Sequence, residues 1–170
     1  MAYTGPYPLP IKGGGTNQTT NPSFFAYAKA NLAGVTGDGT NYTVLFNSTS
    51  FDTTSSYNTG TGIYTAPVTG KYLFFTNITA YPFSNPAQTG SVLSFNVSTG
   101  AQYYIGYCNP YAMANATQLV YSGSSIISLT AAQTVKVVYG VSSGAAGSIT
   151  LAGAAIGSFA LTTFGGYLLV

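Results

Sequence analysis

The stretch Tyr57-Asn58-Thr59-Gly60-Thr61-Gly62-Ile63-Tyr64-Thr65-Ala66-Pro67-Val68-Thr69-Gly70-Lys71-Tyr72-Leu73-Phe74 decides the fold. Asn58 and Gly62 suit a tight turn between strands. Pro67 has no amide hydrogen to extend a ladder, so the short strand around Tyr64 stops there. Gly70 allows the chain to turn into a longer strand. In that strand Tyr72, Phe74, Thr76 and Ile78 alternate with Leu73, Phe75, Asn77 and Thr79, so Tyr72 and Phe74 share one face.

The same grammar of strand, turn and strand continues on both sides. Strands are predicted at 24–28, 42–46, 63–66, 71–80, 92–97, 102–107, 118–129, 134–141, 148–156 and 159–169. They are rich in β-branched and aromatic residues, and turn signals recur at short intervals. Gly144-Ala145-Ala146-Gly147 and Gly153-Ala154-Ala155 are too interrupted by glycine for a stable helix. The pattern predicts an all-β sandwich or barrel with one core. Residues 1–22 differ. They hold Pro6, Pro8, Pro10 and Pro22, then Lys12-Gly13-Gly14-Gly15, and read as an extended N-terminal arm or linker ahead of a domain at 23–170. The arm, through Pro8, Pro10, Lys12, Gly13, Gly14 and Gly15, is the candidate anchor to a neighbouring subunit or another protein.

The residues around the opening stretch carry a family likeness. Val44-Leu45-Phe46-Asn47, then Tyr57, Asn58, Gly62, Tyr64, Pro67, Gly70, Tyr72 and Phe74 at their spacings, resemble the C1q-like globular domain. Phe24-Phe25-Ala26 is similar to that family's opening strand. Thr162-Thr163-Phe164-Gly165-Gly166-Tyr167-Leu168 is similar to its closing strand. The resemblance spans about residues 23–170, although 80–157 match only as strand pattern. It implies a ten-stranded antiparallel jelly roll of the C1q and tumour necrosis factor type. It also implies a homotrimer with apolar contacts along the threefold axis. No collagen-like Gly-x-y repeat precedes the domain. The arm instead resembles short linkers ahead of globular tips in phage and viral fibre proteins. These motif residues are structural, so they report fold and not ligand.

Composition narrows the function. Of 170 residues 46% are hydrophobic and only 4% charged, against about a quarter in ordinary soluble domains. Arg, Glu and His are absent; Lys12, Lys29, Lys71, Lys136, Asp38 and Asp52 are the charged side chains. Without imidazole there is no usual acid–base group or zinc ligand set. A calcium site needs about six to eight oxygens; two aspartates with backbone carbonyls could hold a weak ion, but nothing in the sequence demands one, and Asp38 in Gly37-Asp38-Gly39 is a turn residue. No enzyme activity, cofactor or metal is expected. Scattered lysines give no basic face for nucleic acid. Cys108 is the single cysteine and reads as a small buried hydrophobe. The uncharged stretch 147–170 is broken by Gly147, Gly153, Gly157, Gly165 and Gly166, so two buried strands explain it better than a membrane span.

Tyr103, Tyr104, Tyr107 and Tyr111 form the densest tyrosine group, suited to core, subunit interface or a sugar- or protein-binding surface. Asn-x-Ser/Thr sites stand at Asn17, Asn41, Asn47, Asn77, Asn96 and Asn115. No signal peptide is visible at Met1-Ala2-Tyr3-Thr4. The expectation is a virion structural protein on the exterior surface: a trimeric fibre, spike or capsid decoration. Its partners would be itself, other virion proteins through the arm, and a host receptor or glycan. The alternative is a secreted C1q-like recognition or lectin-type protein, extracellular and glycosylated at some of those asparagines.

Overall fold

The computed structural model describes residues 11–13, 16–18, 20–113, 118–142, 145–153 and 161–169. In chain order the elements are β1 (Ile11–Gly13), β2 (Thr16–Gln18), β3 (Ser23–Tyr27), β4 (Tyr42–Thr43), β5 (Ser48–Asp52), β6 (Tyr57–Asn58) and β7 (Ile63–Thr65). Then follow β8 (Gly70–Tyr81), β9 (Gly90–Val97), β10 (Gln102–Cys108), α1 (Pro110–Met113), β11 (Leu119–Leu129), β12 (Thr134–Ser142), β13 (Thr150–Leu151) and β14 (Thr163–Leu169). Two six-stranded antiparallel sheets face each other as a jelly-roll sandwich. One runs β10-β9-β12-β7-β6 with β4 also on β12; the other runs β11-β8-β14-β3-β5 with β13 also on β8.

The core lies between the sheets. Each long strand sends alternate residues into it, as the buried and half-buried alternation along β3 and β8 shows. Phe24 and Ala26 of β3, Tyr72, Phe74 and Ile78 of β8, Leu93 and Phe95 of β9, and Phe164 and Leu168 of β14 are buried there. Fully burying a side chain of that size contributes about 1.5–3 kcal/mol. The Leu168 amide donates to the Pro22 carbonyl at 2.9 Å, tying β14 to the entry of β3.

Several elements depart from the sequence reading. Ser48–Asp52 and Tyr57–Asn58 are strands although polar residues dominate them, because β3 and β7 supply the partners. The strand predicted at 148–156 is only β13 among the described residues; 154–156 lie outside them. A single helical turn, α1, occupies Pro110–Met113, where Asn109 accepts the Ala112 amide at 3.0 Å. Within the stretch read as an extended arm, β1 and β2 pair antiparallel, with Lys12 opposite Asn17 and Gly13 opposite Thr16. Pro8, Pro10, Gly14 and Gly15 lie outside the described residues.

Candidate interaction surfaces

The motif residues make the core. Phe24 stacks on Tyr64 with centroids 4.7 Å apart and meets Phe164 edge-on at 4.9 Å. Tyr64 meets Phe74 at 5.3 Å, and Phe46 meets Phe164 at 5.5 Å. These are favourable tilted and stacked geometries. Val44 and Tyr57 are buried beside them, and the Tyr72 hydroxyl donates to the Val68 carbonyl at 2.7 Å. Asn58 Oδ1 accepts the Gly60 and Thr61 amides at 2.9 and 3.2 Å, and Gly62 follows at φ +72°. A side chain at Gly62 would also strike the Val44 carbonyl oxygen at 2.6 Å. Pro67 sits two residues past the end of β7, and Gly70 opens β8.

Tyr167 is different: it is 39% exposed on the outward side of β14. There it stands opposite Leu73, which stands opposite Ile126 of β11. One row along, Phe51 of β5 lies opposite Phe25, then come Gly165 and Phe75. Phe25 stacks on Phe51 at 6.5 Å and on Phe75 at 6.2 Å. The ridge is continuous because Gly165 has no side chain: a Cβ there would meet the Phe75 ring at 2.4 Å. Phe51 is 51% and Ile126 58% exposed. The sheet therefore presents an aromatic and aliphatic face to its surroundings, with its other face already in the core. The paired phenylalanines Phe24-Phe25 and Phe74-Phe75 are a partial trace of it that the sequence reading did not use, since adjacent strand residues point to opposite faces.

The family model of the C1q domain matches residues 23–169. This chain belongs to the C1q domain family. The globular domain of the zebrafish complement 1qA protein is similar in structure, with a TM-score of 0.58 and 15% identity, covering 89% of this chain and 98% of that one. Murine APRIL is similar at a TM-score of 0.52 and 15% identity, covering 88% and 100%. Both likenesses concern the fold. No curated protein matches in sequence.

On the opposite sheet, this C1q domain carries its tyrosine group in two directions. Tyr103 faces Phe95 and packs on the core, whereas Tyr104 and Tyr107 are 68% and 79% exposed. Tyr111 is exposed on α1. The Tyr104 hydroxyl donates to Gln102 Oε1 at 2.9 Å. Behind this strand, half-buried Cys108 lies 3.4 Å from the Tyr121 hydroxyl and 3.3 Å from Ser91 Oγ, and the two hydroxyls are 2.6 Å apart. The cysteine is thus part of a polar cluster as well as a packing residue. Burial pushes the phenols of Tyr121 and Tyr139 well up, so both stay neutral near neutrality.

Both aspartates hold backbone. Asp52 accepts the Thr54, Ser56 and Tyr57 amides at 3.3, 3.1 and 2.8 Å. Asp38 accepts the Thr40 amide at 3.0 Å, and that bond lowers its pKa from the usual carboxylate value. Among the described residues no three His, Cys, Asp or Glu side chains cluster to hold a metal ion. No helix among them is long and apolar enough to cross a membrane. A cleft of about 510 Å³ opens where β9 and β10 part from β8 and β11, with Val97, Tyr103, Ile127 and Leu129 in its wall and Lys71 at its rim.

Proposed function

We propose that this C1q domain is a non-catalytic, homotrimeric head, and that it serves as a structural protein on a virion exterior, as fibre, spike or shell decoration. The outward aromatic face of β5, β3, β14 and β8 carries the reading. A row of Phe51, Phe25 and Phe75 left in water exposes apolar area that a stable soluble monomer seldom keeps in one patch. Covering it with a second and third copy removes that area and leaves the other sheet outward, in keeping with the homotrimer with apolar contacts along the threefold axis that the family resemblance implies. The contact between copies in such a ring is heterologous, and because its threefold rotation closes it does not run on into filaments.

The chemistry supports display over turnover: the charged side chains are few, and both carboxylates are spent on local turns. A surface so poor in charge suits a protein fixed in an assembly, since self-repulsion cannot disperse it. Residues 1–22, with their paired strands at Ile11–Gly13 and Thr16–Gln18, are the proposed anchor to other virion proteins.

Two measurements test the two parts. In hydroxyl-radical footprinting of the native protein, Phe25, Phe51, Phe75 and Tyr167 should be protected while Tyr104 and Tyr107 react. Equal reactivity of both groups would refute assembly through this face. Antibodies against residues 23–169 should label intact purified particles, and absence of the chain from such particles would remove the virion role.

A further inference from the structure

We propose that the outward face of β9, β10 and β12 holds a site for an uncharged saccharide, centred on Tyr107. A bulge in β10 builds it. Tyr104 pairs with Ser94 and Tyr107 with Val92, the register slipping between Tyr104 and Gly106. In a regular strand, residues three apart point to opposite faces. The extra residue turns Tyr107 onto the same face as Tyr104, because Ser94 and Val92 share a face of β9. Without the bulge Tyr107 would be driven into the core.

Beside Tyr107 lies a groove of about 160 Å³, lined by Asn41, Gly90, Val92, Gly140 and Ser142. Its depth depends on two glycines. A Cβ on Gly140 would stand 2.7 Å from Asn41 Oδ1, and one on Gly90 would stand 2.7 Å from Ser142 Oγ and 3.5 Å from the Tyr107 hydroxyl. The groove thus has an aromatic wall at one end and an amide and a hydroxyl over a smooth floor. A pyranose presents the matching set, with an apolar C–H face for the ring and hydroxyls that both donate and accept. Tyrosine supplies such contact at low entropic cost, having few rotatable bonds. The volume suits one sugar ring. Tyr104, held by its bond to Gln102, lies about 7 Å further along, the two-residue spacing of Val92 and Ser94 on β9, and extends the platform to a neighbouring sugar.

Charge selects the class of sugar. Asp38 adjoins the lining residue Gly39 and disfavours anionic groups at that rim. Lys136 pairs with Asn96, four residues along β9 from Val92, about 13 Å away and beyond the reach of a single ring. A neutral hexose or short neutral oligosaccharide fits better than a sialylated one. The inference rests on the trimeric-head reading only in that this sheet stays outward.

Saturation-transfer NMR with methyl glycosides of galactose, glucose, mannose and N-acetylglucosamine, with their neutral trisaccharides and with sialyllactose, tests it. At least one neutral sugar should bind, and better than sialyllactose. Tyr107→Ala should weaken it about tenfold or more, a loss of about 1.4 kcal/mol. Gly140→Val should do the same by filling the groove. Tyr104→Ala should weaken the trisaccharide more than the monosaccharide. Tyr107 is exposed, so its alanine variant keeps the test sound even if Gly140→Val fails to fold. No binding by any neutral sugar, or binding unchanged in Tyr107→Ala, overturns the proposal. Light scattering on the same samples separates the two readings: sugar binding by a monomer overturns the assembly alone, and a trimer without sugar binding overturns the site alone.

Discussion

Gly166 shows how a single position can be fixed by its neighbours. A methyl group there would sit 2.6 Å from Phe74 Cδ1 and 2.9 Å from the Leu73 carbonyl oxygen. Gly166→Ala should therefore destabilise by about 1–3 kcal/mol through overpacking, measured by urea unfolding. The buried tyrosines make a second contrast. Tyr72 donates to a backbone carbonyl, whereas the Tyr64 hydroxyl is buried without a partner within hydrogen-bond distance. Tyr72→Phe should cost about 1 kcal/mol, and Tyr64→Phe clearly less. Equal costs would mean that the aromatic packing, and not the Val68 bond, sets the preference for tyrosine at 72. Residues of this kind were legible in the sequence, because turn glycines, Pro67 and the alternating aromatics act through local geometry. Phe25, Phe51 and Phe75 were not, since alternation identifies two faces without saying what lies on each.

Strands followed the same divide. The long, apolar β8, β9, β11 and β12 declare themselves by period. Ser48–Asp52 has no such period and forms only because β3 lies beside it. The connection that follows is organised by Asp52, whose carboxylate gathers the amides of Thr54, Ser56 and Tyr57. Asp52→Ala should lower stability by about 1–3 kcal/mol and speed amide exchange at Ser56 and Tyr57, leaving exchange in β8 in step with the global change. Unchanged exchange at those two amides would contradict the assigned role. The bulge in β10 was equally hidden: the tyrosines were evident at 103, 104, 107 and 111, but a one-residue slip in register decides which of them face outward.

At the scale of the molecule, the sandwich has two unlike outer faces. One is aromatic and apolar; the other is neutral, polar and grooved. Its interior imposes a pH limit. Burial raises the phenols of Tyr57, Tyr64, Tyr121 and Tyr139 above the ordinary value of 10.0. In the unfolded chain these groups ionise near that value, so folding is opposed only beyond it. From neutral pH upward stability should be flat to about pH 10 and fall as pH rises further, the buried phenolates appearing in one step with unfolding. Gradual ionisation of all tyrosines in a folded protein would contradict the burial.

The family likeness made the sandwich readable from residues 23–170, yet the surfaces that act outward depend on register and on neighbouring chains. Assembly through the aromatic face is the central claim, and mass in solution tests it directly. Multi-angle light scattering should give three times the 17.5 kDa chain mass for the native protein. Phe51→Lys with Tyr167→Lys should reduce it to one chain with an unchanged circular-dichroism spectrum. A native protein that scatters as a single 17.5 kDa chain, or a trimer indifferent to both lysines, would contradict it.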